Sequence, residues 1–257
     1  AAQTAKQVVV QRIREAERDL IYDEFISREN DIVTGIVQRQ EGKNIILDLG
    51  RAEAIFPPGE QIPGEVYRQG ERLKAYVLEV RKTSKGPQII VSRTHPGLVK
   101  RLFELEVPEI HEGIVEIKGV AREAGQRAKI AVHSHDEKVD PVGSCVGPKG
   151  SRVQAVVQEL RGEKIDIIKW SDEPDVFVAN SLSPAKVLDV SIDEENKVSQ
   201  VIVPDNQLSL AIGKEGQNAR LAARITGWKI DIKNETEAGD WDAWDDDFDF
   251  DEGVEEE

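Results

Sequence analysis

The strongest constraint on the fold is a repeat in the second half of this 257-residue chain. Val146-Gly147-Pro148-Lys149-Gly150 returns 66 positions later as Ile212-Gly213-Lys214-Glu215-Gly216. Lys164-Ile165-Asp166-Ile167 returns letter for letter, 65 positions later, as Lys229-Ile230-Asp231-Ile232. Solenoid repeats are about 20–50 residues long, so this longer period indicates two duplicated domains.

Both copies share one pattern of predicted elements. Each reads as helix, strand, strand, short helix, Gly-x-x-Gly loop, helix and strand, which predicts an α+β fold. The strand candidates before the loops are Ile114–Ala121, Ala128–His133, Val187–Ile192 and Val198–Val203. The helical stretches after the loops are Ser151–Leu160 and Gln217–Thr226.

The region before the repeats has a different period. Residues 31–94 contain five short β-branched runs separated by Gly and Pro, which favours a small β-barrel of the OB type over a thin five-stranded sandwich. These runs are Ile32–Val37, Asn44–Leu49, Ala52–Phe56, Leu73–Arg81 and Gln88–Arg93. Upstream, Val9, Ile13, Ala16 and Leu20 have helical spacing and predict an amphipathic helix over residues 3–26. Because the chain lacks Met and opens inside this helix, we expect a fragment or a processed chain.

The net charge of −15 is concentrated at one end. Residues 235–257 hold thirteen acidic residues and no Lys or Arg, so 36 acidic residues face 34 basic ones in the rest of the chain. Overall acidity therefore does not exclude nucleic-acid binding, because electrostatic footprints are local. The composition of this tail predicts disorder.

Several classes of protein are excluded or disfavoured by composition. No apolar run approaches the roughly 18 residues of a membrane span, and the N-terminus carries no secretion signal. A single cysteine, Cys145, excludes internal disulfides and fits a cytoplasmic location. We expect Cys145 to be a buried core residue. His133 and His135 share a strand face but have no third ligand at metal-binding spacing, so we expect no metal. No group of residues forms a pattern that would catalyse a reaction, so we expect no enzymatic activity and no cofactor. Asp166 and Asp231 are related by the repeat, which favours a shared structural position over an acid–base pair.

The glycine loops indicate RNA binding. Glycine lets another backbone approach closely, and the helix that starts at the end of each loop attracts anions at its N-terminus. A Gly-x-x-Gly clamp of this kind holds about four single-stranded nucleotides in KH modules. One such loop is more often only a tight helix–helix turn, but two copies in the same context favour the KH interpretation. A P-loop would need Gly-Lys-Ser/Thr, which neither copy has.

The candidate RNA-binding residues lie in both loops, in the helix starts that follow them, and on the barrel. Phe56 is a candidate for stacking on a base, with a core role as the alternative, and Arg39 is a candidate phosphate contact. The loop candidates are Gly147, Pro148, Lys149, Gly150, Ser151 and Arg152 in the first copy, and Gly213, Lys214, Glu215, Gly216, Gln217, Asn218 and Arg220 in the second. Aspartate at both Gly147 and Gly213 is expected to leave the fold intact and to remove most RNA binding.

Two groups of segments resemble the NusA family of bacterial transcription termination and antitermination factors. They are Asp48-Leu49-Gly50 with Ala54–Pro58, and the loop contexts Asp140–Gly147 and Leu208–Gly213. The resemblance covers about residues 1–234 and implies type II KH folds packed with an S1 barrel into one rigid RNA-binding surface. It also implies a role in pausing, termination and antitermination, with single-stranded nascent RNA, RNA polymerase and other antitermination factors as partners. The resemblance also implies an N-terminal domain that contacts RNA polymerase, of which we expect this sequence to contain only the helix that leads out of it. We expect a monomer.

The expected architecture is multidomain α+β. It has a linker helix at 1–28, an OB-type S1 barrel at 29–95, KH1 at 96–171, KH2 at 172–234 and an acidic disordered tail at 235–257. Two alternatives stay open from the sequence: a cap subunit of an exosome-type RNA-decay complex, and a protein–protein scaffold that uses the acidic tail. Because Trp241, Trp244, Phe248 and Phe250 alternate with carboxylates, the tail is also a candidate to dock near Lys149 and Arg152 and compete with RNA.

Overall fold

A computed structural model describes residues 2–239, and its N-terminal half is a helix followed by a closed β-barrel. The strand order is β1-β2-β3-β5-β4, with β3 and β5 parallel and the other neighbouring strands antiparallel. The bounds are α1 (Ala2–Ile26), β1 (Ile32–Glu41), β2 (Asn44–Asp48), β3 (Glu53–Phe56), β4 (Arg72–Thr83) and β5 (Gly86–Ser92). The five predicted strands and the predicted barrel are confirmed.

Helix α1 is attached to the barrel mainly at its C-terminal end. Phe25 is buried in the barrel core, whereas Val9, Ile13 and Leu20 of the predicted apolar face are all more than half exposed. Before Phe25 in the same helix, Asp19 and Glu24 pair with barrel cations at 2.9 and 2.7 Å. Such exposed pairs contribute little, so burial of Phe25 is the main anchor.

The first repeat unit follows the barrel directly. Its elements are α2 (Pro96–Glu106), α3 (Pro108–His111), β6 (Val115–Glu123), β7 (Arg127–Ser134), α4 (Pro141–Val146), α5 (Ser151–Glu159) and β8 (Lys164–Lys169). The sheet order is β6-β7-β8, and α2 and α5 pack together over the sheet. Ile32 and Tyr76 of the barrel lie in the same hydrophobic cluster as Leu98, Phe103 and Ile130 of the repeat unit. These two barrel residues therefore belong to the core of the first repeat unit, whereas the barrel interior forms a cluster of its own.

Two buried arginines make polar connections around the core of the first repeat unit. Arg93, which follows β5, bonds bidentately to Glu65 at 2.8 and 3.0 Å and donates to the backbone oxygens of Lys74 and Glu159. Arg122 of β6 pairs with Glu163 at 2.7 and 2.9 Å, and both side chains are fully buried. Buried charges of this kind need such complete pairing, because an unpaired one is very costly.

The second repeat unit has the same element order except that it lacks a counterpart of the short helix α3. It comprises α6 (Pro174–Ser181), β9 (Asp189–Asp193), β10 (Val198–Val203), α7 (Leu208–Ile212), α8 (Gln217–Thr226) and β11 (Lys229–Asn234). Strand β10 lies between β9, to which it is antiparallel, and β11, to which it is parallel, with Val201 opposite Ile232. Its core contains Val178, Leu182, Val203 and Trp228. The chain divides into two compact units between Ile167 and Ile168, and the fold class is α+β as predicted.

The end of the second unit corrects the predicted start of the disordered tail. Residues Glu235–Ala238 form a short helix, α9, capped by the Asn234 side chain. Thr236 bonds to both carboxylate oxygens of Asp205, at 2.8 and 3.2 Å, which fixes this turn to the segment before α7. The rest of the predicted tail, residues 240–257, lies outside the described residues. Within residues 2–239, no helix has the length and apolar character needed to cross a membrane.

Candidate nucleic-acid interface

The two Gly-x-x-Gly loops have nearly identical backbones. Gly147 and Gly213 have φ/ψ of 74°/173° and 77°/169°, and Gly150 and Gly216 have 76°/13° and 71°/14°. The third loop residue, Lys149 or Glu215, is left-handed in both, with φ of 53°. The repeat seen in the sequence is therefore also a repeat of backbone conformation, although the two loops differ in their side chains.

The two glycines of each loop are required for different reasons. A Cβ on Gly147 would lie 2.6 Å from Arg152 Cγ, and one on Gly213 would lie 2.8 Å from the backbone nitrogen and Cβ of Asn218. The first glycine is therefore needed for close packing as well as for its positive φ. Gly150 and Gly216 have open space around them, with nearest atoms at 3.9 and 4.0 Å, so only their positive φ favours glycine.

Each loop leads directly into a helix N-terminus. Helices α5 and α8 begin at Ser151 and Gln217, immediately after the last loop glycine. Lys149 and Lys214 are exposed on the loops. A helix N-terminus with a neighbouring cation attracts anions such as a nucleic-acid phosphate. This arrangement brings together the loop residues predicted from the sequence.

Arg152 is close to the first loop but is already bonded within the protein. Its Nη1 donates to Glu109 Oε2 of α3 at 2.8 Å and to the backbone oxygen of Ser144 in α4 at 2.7 Å. The side chain is about three-quarters buried. Its geometry is therefore determined by α3 and α4.

Asn218 was predicted to contact RNA, but its side chain is not available for such a contact. Its side chain is fully buried, and Nδ2 donates to the backbone oxygens of Leu182 and Ala211 at 3.0 and 2.9 Å. Its Oδ1 is buried and forms no hydrogen bond within the described part of the chain. A side chain enclosed in this way has no access to an RNA strand.

The remaining candidates of the second loop lie at its surface. Arg220 is exposed, and its Nη1 donates to the backbone oxygen of Glu215 at 3.0 Å, one turn back along the chain. Glu215 is exposed and Gln217 is half-buried at the helix start. In the first loop, Pro148 and Ser151 are also at the surface.

On the barrel, Phe56 is not available for stacking on a base. It is fully buried in the barrel core and contacts Tyr67 edge-on, with ring centroids 4.9 Å apart. It closes the end of β3, which was the alternative interpretation of its position. The sequence could not decide between these roles, because both place an aromatic residue at the end of a strand.

Arg39 is exposed on the barrel and takes part in local ion pairs. It bonds bidentately to Glu53 at 2.8 and 2.9 Å and to Glu41 at 2.7 Å, and these bonds raise its pKa above the ordinary value. It borders a groove of about 500 Å³ between α1 and the barrel, together with Arg51 and Lys85. Arg51 in turn pairs with Glu24 at 2.7 Å, so much of the positive charge there is compensated.

Apolar side chains beside the loops were not among the predicted residues. Leu210 and Ile212 of α7 are 42% and 37% exposed, directly before Gly213. Val146, at the matching position of the first copy, is half-buried. A base stacks or packs on apolar surface, so these residues are candidates for contact with bases next to the phosphate clamp. The signal in the sequence was an apolar residue before the first glycine of both loops.

The paired histidines, Cys145 and the two repeated aspartates have different surroundings within residues 2–239. His133 and His135 have ring centroids 5.2 Å apart, and His135 Nε2 lies 3.1 Å from Glu116 Oε2, but no group of three or more ligands able to hold a metal occurs in this range. Cys145 is buried, as predicted, and burial raises its pKa to about 12. Asp166 and Asp231 differ in environment, since Asp166 binds the buried Lys129 and Asp231 is exposed.

An OB-type barrel followed by two α+β units with Gly-x-x-Gly loops defines an RNA-binding protein of the S1–KH class. The family models for an S1 RNA binding domain, a NusA-like first KH domain and a NusA-like second KH domain match residues 27–92, 93–170 and 174–240. The chain belongs to the NusA family.

Relatives in three bacteria carry the name transcription termination/antitermination protein NusA. Those of Halalkalibacterium halodurans and Bacillus subtilis are each 68% identical over 238 residues, which cover 93% of this chain and 62% and 64% of the relatives. That of Mycobacterium tuberculosis is 54% identical over 244 residues, covering 91% of this chain and 70% of the relative. The chain thus spans less than two thirds of the length of the first two relatives.

Proposed function

We propose that this chain binds single-stranded nascent RNA through its two glycine loops and acts in bacterial transcriptional pausing, termination and antitermination. The observation that carries the proposal is the duplicated loop geometry, in which two glycine clamps each lead into the N-terminus of a helix of nine or ten residues. Exposed Lys149 and Lys214 supply positive charge at these helix starts. The names of the relatives support the role in termination and antitermination.

The proposed partners follow from the same role. RNA polymerase and other antitermination factors are the expected protein partners of a cytoplasmic transcription factor, and the RNA emerging from polymerase is the expected ligand. The protein acts by binding and not by catalysis. An exosome-type cap subunit is not favoured, because all three family models and the curated relatives are of the NusA or S1 type.

The structure changes the choice of mutations for a test. Aspartate at Gly147 and Gly213 was expected to leave the fold intact, but a Cβ there would clash with Arg152 or with the Asn218 backbone. Gly150→Asp with Gly216→Asp adds the same negative charges where there is open space, and Asp is among the residues that tolerate left-handed φ best. The added carboxylates repel a phosphate at each helix N-terminus.

A matched control exists in the same chain. Gly113→Asp with Gly227→Asp adds two carboxylates at positive-φ glycines with open space, φ being 77° and 76°, away from the loops. Binding of a short A-rich RNA is measured by fluorescence anisotropy, with circular dichroism to verify folding. We expect the loop variant to lose at least about tenfold in affinity, or about 1.4 kcal/mol, and the control to lose much less. Equal affinities of two folded variants would refute the clamp and favour a scaffold that binds proteins.

A transcription assay tests the wider role. The loop variant and its control are added to elongation complexes of a bacterial RNA polymerase, and pause lifetimes and termination efficiency are measured. The proposal expects an effect of the wild-type chain that the loop variant lacks and the control retains. If the wild-type chain binds RNA but changes neither quantity, the role in transcription does not extend to this part of the protein.

A further inference from the structure

Arg152 and Asn218 occupy the same place in the two repeat units. They are 66 positions apart, as the loops are, and each is the second residue of the helix that follows its loop. Each side chain lies beneath the first loop glycine, where a Cβ would meet it at 2.6 to 2.9 Å. Position and packing are therefore repeated even though the residue type is not.

Both side chains also bond to two other segments of their own unit, one of them the helix before the loop. Arg152 donates to the carbonyl of Ser144 in the helix before the loop, and Asn218 donates to the carbonyl of Ala211 in the equivalent helix. Each then reaches an earlier element of its own unit, which is Glu109 of α3 for Arg152 and the Leu182 carbonyl after α6 for Asn218. One side chain thus joins three helical segments around each loop.

We propose that Arg152 and Asn218 are positioning residues, which hold the two glycine loops in their RNA-binding conformation and do not themselves bind phosphate. We call each set of bonds a loop brace. The inference rests on the proposed RNA binding and specifies which residues near the loops act indirectly. A preformed loop binds RNA more tightly because the ordering cost is met during folding.

The alternative is that Arg152 is a phosphate ligand, as its charge and position suggest. The two roles give opposite signs for a mutation of its partner. If only charge matters, removing the Glu109 carboxylate makes the surface less negative and strengthens RNA binding. If the brace matters, the same change frees Arg152 from α3, loosens the loop and weakens RNA binding.

The primary experiment compares three variants of the full chain by RNA anisotropy titration. Glu109→Ala removes the charge and the hydrogen-bond acceptor, whereas Glu109→Gln removes the charge and keeps an acceptor. Glu112→Ala is the matched control, an exposed acid three residues away whose side chain makes no ion pair with the described residues. We expect Glu109→Ala to weaken RNA binding about three- to tenfold, Glu109→Gln to recover part of this loss, and Glu112→Ala to bind as tightly as wild type or more so.

A second readout separates a brace from a phosphate ligand. For single-stranded RNA, the slope of log K against log salt becomes shallower by about 0.7 for each phosphate that the protein no longer neutralises. Lys149→Gln provides the reference, because it removes a cation that faces the proposed phosphate. We expect Arg152→Met to lower the affinity while its salt slope stays within about 0.2 of wild type.

In the second unit, Asn218→Ala is expected to lower RNA affinity without changing the salt slope, provided that circular dichroism shows a folded protein. If that variant does not fold, the Glu109 series decides the question. Tighter RNA binding by Glu109→Ala, or a slope change in Arg152→Met equal to that of Lys149→Gln, would overturn the proposal. Failure of the wild-type chain to bind the RNA would instead overturn the proposed function.

Discussion

At the residue scale, Lys129 shows how the fold treats a buried charge. Its side chain is fully buried on β7, with Asp166 Oδ2 3.0 Å from Nζ and Arg127 bonded to the same oxygen at 2.7 Å. Burial lowers the pKa of Lys129 to about 8, and Asp166 offsets only part of this effect. Because a lysine in the unfolded chain titrates at about 10.4, the unfolded chain binds more protons between about pH 8 and 10.4, and stability rises with pH there.

We predict that this rise disappears in Lys129→Met, which keeps the Arg127–Asp166 pair and lacks the titrating amine. Between about pH 7 and pH 10, the free energy of unfolding of the wild type should increase by about 2–3 kcal/mol relative to the variant. Urea titrations of both proteins at the two pH values measure the difference. Parallel pH dependence of the two proteins would show that the pKa of Lys129 is not lowered.

Cys145 gives a second prediction at this scale. Its thiol is buried in α4, two residues before Gly147, and its pKa of about 12 leaves almost no thiolate at neutral or mildly basic pH. We expect the native chain to react with a thiol reagent at about pH 8 only after urea is added. Reaction of the folded chain within minutes would mean that α4 opens readily next to the loop.

The roles of single side chains were the part of the site that the sequence predicted least well. Lys149 and Lys214 are exposed loop residues, as their position in the motif indicates. Asn218 and Phe56 are buried, and Arg152 bonds to a residue 43 positions earlier in the chain. These outcomes depend on tertiary partners, about which local spacing carries no information.

At the scale of elements, the sequence was a good guide because periodicity and glycine placement are local. The helix Gln217–Thr226 and the strand Val198–Val203 have the bounds that were predicted. The loop conformation was not predicted, and the structure shows positive φ at both glycines of each loop and at Lys149 and Glu215. What the pattern did not reveal is how elements are joined through buried charges such as Arg93.

Arg93 connects the barrel with α5, and this connection can be tested. The pKa of Glu65 lies below its ordinary value, because the hydrogen bonds and charge of Arg93 outweigh the effect of burial. We predict that Arg93→Met alone lowers the free energy of unfolding by about 3–5 kcal/mol, since it leaves Glu65 buried without its cation.

The double variant Arg93→Met with Glu65→Leu is the control for this effect. Replacing both members of a buried ion pair by apolar residues is often close to neutral, so we expect the double variant to recover much of the lost stability. Urea denaturation followed by circular dichroism measures both proteins. A double variant as unstable as Arg93→Met would mean that the bonds from Arg93 to the carbonyls of Lys74 and Glu159 matter more than the ion pair.

At the scale of the whole molecule, the three folded domains that were predicted are grouped into two compact units. Residues up to Ile167 form one unit, because Ile32 and Tyr76 of the barrel complete the core of the first repeat unit. Composition could locate the barrel and the repeats, but it could not show that two barrel residues belong to the core of the first repeat unit. The expectation that the two KH units move as one body stays a prediction.

A second property of the whole chain is that its acidic residues are concentrated at the C-terminal end. Eleven acidic residues and four aromatic ones lie in residues 240–257, after α9 and outside the described residues. Carboxylates resemble phosphates in charge, and aromatic rings stack as bases do. We therefore predict that this segment competes with RNA for the loops. Because Thr236 is bonded to Asp205, a clean deletion begins at Asp240 and leaves α9 in place.

Deletion of residues 240–257 is expected to tighten RNA binding, most clearly at low salt, since the Debye length falls from about 30 Å at 0.01 M to about 10 Å at 0.1 M. A gain in affinity alone does not decide the mechanism, because the deletion also removes general repulsion of RNA. The deciding variant replaces Trp241, Trp244, Phe248 and Phe250 with Ser and keeps every acidic residue. If the aromatic rings compete with RNA near Lys149 and Arg152, this variant binds RNA more tightly than the parent at equal net charge. If its affinity equals that of the parent, the tail acts through charge repulsion alone and does not occupy the RNA site.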